Sequence, residues 1–231
     1  MTLERDRFLC DRVLIDLDID HGFGLRGAQS PENTAFPIQV HGIDVFDATS
    51  RSALDLPRAD VVVSTTPGLP IGIVTADCVP ILIAAEDGSA VAAVHAGWRG
   101  LAAGVIEAGA QAVTAAARGA SLVAAVGPAA RGCCYEVDEP VRVALAENYS
   151  DGLREALEPG RPGHFQLDLP RLATRVLAGS GVDCHQIGTQ HRLCTICNPD
   201  LFESYRRDGV AAGRMSHFIE SSGRTRPGLT A

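Results

Sequence analysis

The chain has 231 residues, enough for one large domain, and no Pro/Gly/Ser-rich linker or shift of composition divides it. Hydrophobic residues at 46% against 21% charged residues describe ordinary globular material rather than a disordered chain. The 20 basic residues, all of them arginine, against 28 acidic ones give a net charge of −8 without long runs; this speaks against a nucleic-acid binder, and the absence of lysine excludes Schiff-base, pyridoxal-phosphate and P-loop chemistry.

The opening Met1-Thr-Leu-Glu-Arg-Asp-Arg7 is charged where a signal peptide needs an apolar core, so the cytoplasm is the expected compartment. Residues 13–20 alternate apolar and acidic side chains over most of their length, which predicts a half-exposed strand. Gly22-Phe-Gly-Leu-Arg-Gly27 satisfies G-x-G-x-x-G, but Ala28-Gln-Ser-Pro-Glu-Asn33 is turn material and offers no helix N-terminus to a pyrophosphate. Asp16, Asp18 and Asp20 imitate a calcium loop, yet Gly22 falls one place late and Gly27 stands at the twelfth position.

Strands are predicted at 60–65 and 71–75, parted by the turn Pro67-Gly-Leu-Pro70, and at 79–85 and 90–95, joined by Glu86-Asp-Gly-Ser89 with its hairpin Asp-Gly. The most apolar stretch, 69–85, is broken by Pro70, Asp77 and Pro80, so no membrane helix is expected. Helices are predicted at 101–118, closed by Gly119, at 138–149, and at 168–179 with Asp168 as cap and Pro170 in the first turn. Further strands at 121–126 and about 183–188 complete an α+β pattern with mixed sheets in a single domain.

His95 closes a predicted buried strand, Cys78 sits at the junction of two strands, and the hairpin between them lets the two meet. His41, before Gly42, is a third candidate ligand. Two imidazoles and a thiolate suit zinc and leave a fourth position open, the pattern of a catalytic ion that polarises a substrate oxygen. Taken singly, each of these residues is more often packing or hydrogen-bonded core. Seven cysteines without an export signal read as thiols, ligands or core rather than a disulfide framework. Cys194-Thr-Ile-Cys197, with His191 three residues ahead, allows a second metal site or redox pair, but Asn198-Pro199 interrupts the expected helix, so structural or incidental thiols are the expectation. In the adjacent pairs Cys133-Cys134 and Cys184-His185 one member of each is expected to be packing. Arg99, Arg131, Tyr205, Arg206 and Arg207 form the list of substrate or phosphate contacts, weighed against surface ion pairs for the arginines.

Gln39-Val-His-Gly42, Arg58-Ala-Asp60, Thr66-Pro-Gly68, Thr75-Ala-Asp-Cys-Val-Pro80 and His95-Ala-Gly-Trp-Arg-Gly100 occur in order, followed by Gly127-Pro128, Cys134-Tyr-Glu-Val137, Cys194-Thr195, Ser204-Tyr-Arg-Arg-Asp208, Gly213-Arg-Met215 and Phe218-Ile219. Over about residues 38 to 219 the chain resembles the laccase-domain family, once described as multicopper polyphenol oxidases and later associated with purine nucleoside phosphorolysis and adenosine deamination. The resemblance implies a layered fold with mixed sheets packed between helices, and zinc on His41, Cys78 and His95. It implies transfer of the ribosyl group of adenosine, inosine or methylthioadenosine to phosphate, adenosine deamination as a second activity, and no organic cofactor. Only Ala28 to Pro37 fills an interval that is longer in the family, which implies a more open pocket, altered specificity, or lost activity with the metal site retained. Competing readings are a copper-dependent polyphenol oxidase, disfavoured by only seven histidines and no His-x-His; a metal-free Cys-His hydrolase; and an inactive metal-binding relative.

Overall fold

The computed structural model describes residues 3–5, 7–50, 57–117, 119–189 and 191–223. The chain opens with strands β1 (Leu3–Arg5) and β2 (Phe8–Cys10), a one-turn helix α1 (Arg12–Ile15) and β3 (His21–Gly24). After a long loop come β4 (Val45–Asp47), β5 (Val61–Ser64), β6 (Pro70–Thr75), β7 (Val79–Ala85) and β8 (Val91–Ala96). Helices α2 (Trp98–Ala103) and α3 (Val105–Ala116) precede β9 (Leu122–Val126), β10 (Glu136–Asp138) and α4 (Glu139–Ala156). The remainder is β11 (Leu157–Pro159), β12 (His164–Leu167), α5 (Leu169–Gly179), β13 (Ile187–Gly188), α6 (Tyr205–Asp208) and β14 (Met215–Glu220).

These strands form three sheets, ordered β13-β9-β7-β8-β5-β4, β1-β2-β3-β14-β6 and β10-β12-β11, so the α+β class expected from the sequence is what the chain adopts. In the six-stranded sheet β4 runs parallel to β5 and β13 parallel to β9, while the other pairs are antiparallel. Its central strands are apolar on both faces because both faces are covered. Ile81, Ile83, Ala92 and Val94 pack with Val105, Ile106 and Val113 of α3 and Leu172 and Val176 of α5. Their strand neighbours Leu82, Ala84, Val91 and Ala93 turn the other way, onto Ile71, Ile73, Phe23 and Ile219 of the five-stranded sheet. Period-two alternation thus divides one apolar run between two cores.

Several expectations are corrected. Residues 13–20 are not a strand: the Asp11 carboxylate caps α1 by accepting from Val13 N–H, and Asp18 adopts φ 58°, so the chain coils instead of extending. The helix placed at 101–118 begins earlier, at Trp98, and is cut in two at Gly104, whose φ of 98° ends α2 and opens α3; Arg118 lies outside the described residues. The helix at 138–149 continues to Ala156 across a kink at Tyr149. The strand about 183–188 shrinks to Ile187–Gly188 after a 3-10 turn. Asp168 does cap α5, accepting from Arg171 N–H at 3.0 Å. The glycines of the rejected nucleotide motif serve packing: a Cβ on Gly24 would lie 2.2 Å from the Ser216 carbonyl oxygen, and one on Gly22 would strike the Phe8 ring.

Candidate functional site

The chain passes from the five-stranded to the six-stranded sheet between β6 and β7, and Asp77 and Cys78 occupy that crossing. The β7–β8 register sets Pro80 opposite His95, so the hairpin returns the imidazole to the neighbourhood of Cys78. On the other flank β5 pairs with β8, Val61 against Val94, which brings Asp60 beside His95; the His95 N–H donates to the Asp60 carbonyl at 2.8 Å. One end of the sheet therefore gathers residues from three strand termini.

Asp60 organises both histidines. Its carboxylate is fully buried and accepts from His95 Nδ1 at 2.7 Å, and also from the backbone N–H groups of Val40, His41 and Gly42 at 3.1, 3.0 and 2.7 Å. Four donors on one carboxylate hold the 40–42 turn in place although His41 has φ 61°, an uncommon conformation outside glycine. His41 Nε2 lies 3.9 Å from Cys78 Sγ, and the two imidazoles meet edge to face with centroids 4.8 Å apart. The ligand atoms of His41, Cys78 and His95 all lie within 4.8 Å of one another. Gly97 makes that approach feasible, since a Cβ there would sit 2.9 Å from His41 Cδ2 and 3.0 Å from Cys78 Sγ.

The electrostatics follow from this packing. Burial pushes the Cys78 thiol up, but hydrogen bonds with His41 and His95 outweigh it and bring the group down to about 6. Burial pushes His95 down, yet Asp60 and the Cys78 sulfur reverse it and raise the imidazole to about 9. Burial also works against the Asp60 carboxylate, and the His95 contact with the Gly42 and Val40 N–H groups keeps it below its ordinary value. A thiolate and two imidazoles are a nitrogen and sulfur donor set that fits zinc, and the Asp60 contact to the far nitrogen of His95 is the outer contact such a ligand commonly has. Metal and proton compete for the same atoms.

A cleft of about 610 Å³ opens over the trio, with Gln39, Thr75, Trp98, Tyr135 and Leu169 in its wall and Arg99, Tyr205, Arg206 and Arg214 at its rim. Arg99 stacks on Trp98 at 4.4 Å and Arg206 on Tyr135 at 4.6 Å. Among the described residues none of Arg99, Arg206 and Arg214 has a carboxylate within 4 Å. The other two arginine candidates have such partners. Arg131 is paired with Asp168 at 2.8 Å outside this cleft, and Arg207 is spent on Asp208 and on the carbonyls of Thr195, Ile196 and Phe202.

Sequence reasoning passed over Asp60, Asp77 and Arg214 as site residues. Asp77, at φ 87°, accepts from Thr195 Oγ1 at 2.6 Å, Ser204 Oγ at 3.0 Å and Arg206 N–H at 2.7 Å, fixing Cys78 on one side and Arg206 on the other. An acidic residue abutting the buried run Val61-Val-Val63 is the signal that could have pointed to Asp60. The expectation about the remaining cysteines also changes. Cys194 and Cys197 are joined by both Cys133 and Cys134, while His191 is absent from the group and bonds the Cys10 carbonyl. Cys184 and His185 are both exposed, so neither is packing.

Comparison with known proteins follows this geometry. Residues 25–222 match the family described as multi-copper polyphenol oxidoreductase laccase. A protein of Xylella fastidiosa named purine nucleoside phosphorylase is 41% identical over 174 residues, covering 74% of this chain and 65% of that protein; the chain thus spans slightly less than two thirds of that relative. Purine nucleoside phosphorylase YfiH of Escherichia coli is 37% identical over 189 residues, covering 82% of this chain and 74% of that protein. The crystal structure of the Bacillus licheniformis hypothetical protein YfiH shares the fold at a TM-score of 0.83 and 23% identity, covering 94% of this chain and 97% of that one. On the extent of the family match and the identity to these relatives, the chain belongs to the multi-copper polyphenol oxidoreductase laccase family.

Proposed function

We propose that this chain, working as a single catalytic domain, is a zinc-dependent purine nucleoside phosphorylase that also deaminates adenosine. The observation that carries the reading is the Asp60-aligned trio of His41, Cys78 and His95 on the floor of a cleft whose rim holds arginines without carboxylate partners among the described residues. The names of the Xylella and Escherichia relatives support the phosphorolysis half.

His41, Cys78 and His95 would hold the ion, and bound zinc supplies a positive charge that polarises an oxygen of substrate or water. Asp60 accepts the hydrogen bond from His95 Nδ1–H, which leaves Nε2 as the nitrogen that would ligate the ion once its proton is displaced. Arg99 and Arg206 offer forked N–H donors to inorganic phosphate, the geometry that suits a planar pair of anionic oxygens. Stacked on Trp98 and Tyr135, they are held at the rim rather than free in solvent. Holding phosphate and nucleoside in one cleft makes attack on the ribosyl carbon effectively intramolecular. The glycosidic bond breaks as a bond forms between a phosphate oxygen and the ribosyl carbon, and the purine leaves with the bonding electrons and takes a proton from solvent. Tyr205 and Trp98 flank the space for the flat purine.

The test is release of hypoxanthine from inosine by zinc-loaded protein, with and without inorganic phosphate. Phosphate-dependent release is expected, and its absence refutes phosphorolysis. One observation favours a second reading: a thiol near 6 beside imidazoles is also the nucleophile of a Cys-His hydrolase. Chelation separates the two, because it abolishes zinc-dependent phosphorolysis and leaves thiol hydrolysis intact. Copper-dependent phenol oxidation, the chemistry in the family's description, needs more histidines than the two in this cleft.

A further inference from the structure

Four of the seven cysteines meet at a second place. Cys133 and Cys134 lie in the turn after β9, and Cys194 and Cys197 lie in the segment before α6. The Thr195 N–H donates to the Ala129 carbonyl at 3.1 Å and Ala129 bridges Cys194, which aligns the two segments. Residues 131–135 coil, with the N–H groups of Cys134 and Tyr135 both donating to the Arg131 carbonyl. Successive side chains in such a turn are about 100° apart rather than opposed, so neighbouring thiols reach the same side.

Cys133 Sγ and Cys134 Sγ lie 3.4 and 2.8 Å from Cys197 Sγ, and the four sulfurs are within 4.8 Å of one another. None is in a disulfide. Neutral thiols gain little from one another, being weak donors and weak acceptors, and four thiolates alone would repel. A tetrahedral ion with metal–sulfur bonds of about 2.3 Å places its sulfurs about 3.8 Å apart, within the span observed.

We propose that Cys133, Cys134, Cys194 and Cys197 form a closed tetrathiolate site for a structural zinc ion, distinct from the cleft trio. The all-sulfur donor set selects a soft or borderline tetrahedral cation and leaves no position for substrate. Zinc displaces the thiol protons, which pass to solvent. The ion staples the turn that carries Tyr135 to the segment whose Thr195 hydroxyl donates to Asp77, and so braces the wall of the cleft without touching substrate.

The test uses the full-length Cys78→Ala chain, which removes the cleft ligand and keeps this outcome separate from that of the phosphorylase reading. Zinc counted by mass spectrometry should remain near one per chain, and Cys197→Ser or Cys133→Ser in the same background should lose it. Replacing the retained ion by cobalt(II) should give thiolate charge-transfer and tetrahedral visible bands, a readout that needs no variant of the cluster. A Cys78→Ala chain that is ion-free and without cobalt bands overturns the proposal, whether its thiols titrate as free or its mass is two hydrogens short for a disulfide. Retained zinc that both serine variants leave in place overturns it equally.

Discussion

The cleft trio and the four-cysteine cluster are built on opposite plans. Cys78 and His95 stand at the ends of strands and His41 on a turn beside them, and both histidines are tied to one buried carboxylate. Cys133, Cys134, Cys194 and Cys197 sit on two loops, two of their thiols exposed, held by backbone contacts rather than a buried acid. A site that binds and turns over a substrate needs ligands fixed from behind and an open front, which the sheet termini supply. A site that only ties loops together needs four ligands and no front.

The largest effect should come from the carboxylate that only the first cluster has. Asp60→Asn keeps the shape but weakens the four acceptor contacts, and zinc affinity at the cleft should fall about 10- to 100-fold. Competition with a chromophoric chelator reads this directly, and the tetrathiolate ion should be unmoved. Gly97→Ala comes next. Gly97 has φ −74°, which alanine tolerates, so the added methyl acts by collision with His41 and Cys78 alone. A displacement of these groups by a fraction of an ångström should cost up to about 100-fold in kcat with little change in Tm. Unchanged turnover would show that the trio need not be so tightly set. Arg99→Ala should raise the KM for phosphate about 10-fold with kcat less affected, the loss of one charge-assisted contact of about 1.5 kcal/mol. Equal losses at saturating phosphate would place Arg99 elsewhere in the reaction.

The smallest effect concerns the sheet behind the cleft. His217 is buried, accepts from Gly24 N–H at Nδ1 and meets Thr75 Oγ1 through Nε2, and burial followed by the nearby His95 lowers it to about 3. The unfolded chain takes up a proton below about pH 6.5 while the folded chain does not. Stability should therefore decline as pH falls from about 6.5, with His217 contributing up to about 1.4 kcal/mol per pH unit. Denaturant unfolding of His217→Gln between pH 6.5 and 5 should show a flatter dependence; an unchanged slope would assign the acid sensitivity to other groups, such as His21, which burial also lowers.

The difference between the clusters also explains what the sequence disclosed. Cys78 and His95 were legible because an Asp-Gly hairpin fixes the return of β8 beside β7, a local relation that spacing encodes. Asp168 was legible as a cap for the same reason. The tetrathiolate group was not, because Cys134 and Cys197 are brought together by tertiary contacts between loops 63 positions apart. Asp60 and Asp77 were not singled out, because it is the tertiary placement of the strands that buries them beside the trio. Residues 13–20 misled for a different reason: a single cap at Asp11 and a left-handed Asp18 override an alternating pattern that is too short to hold a strand.

The measurement that reaches the central claim most directly is an anomalous difference map at the zinc edge from crystals grown without chelator. The account predicts a peak about 2.0–2.1 Å from one nitrogen each of His41 and His95 and about 2.3 Å from Cys78 Sγ, with Asp60 still on the far nitrogen of His95. A map without density between those three side chains, or a peak that Cys78 does not touch, would contradict it.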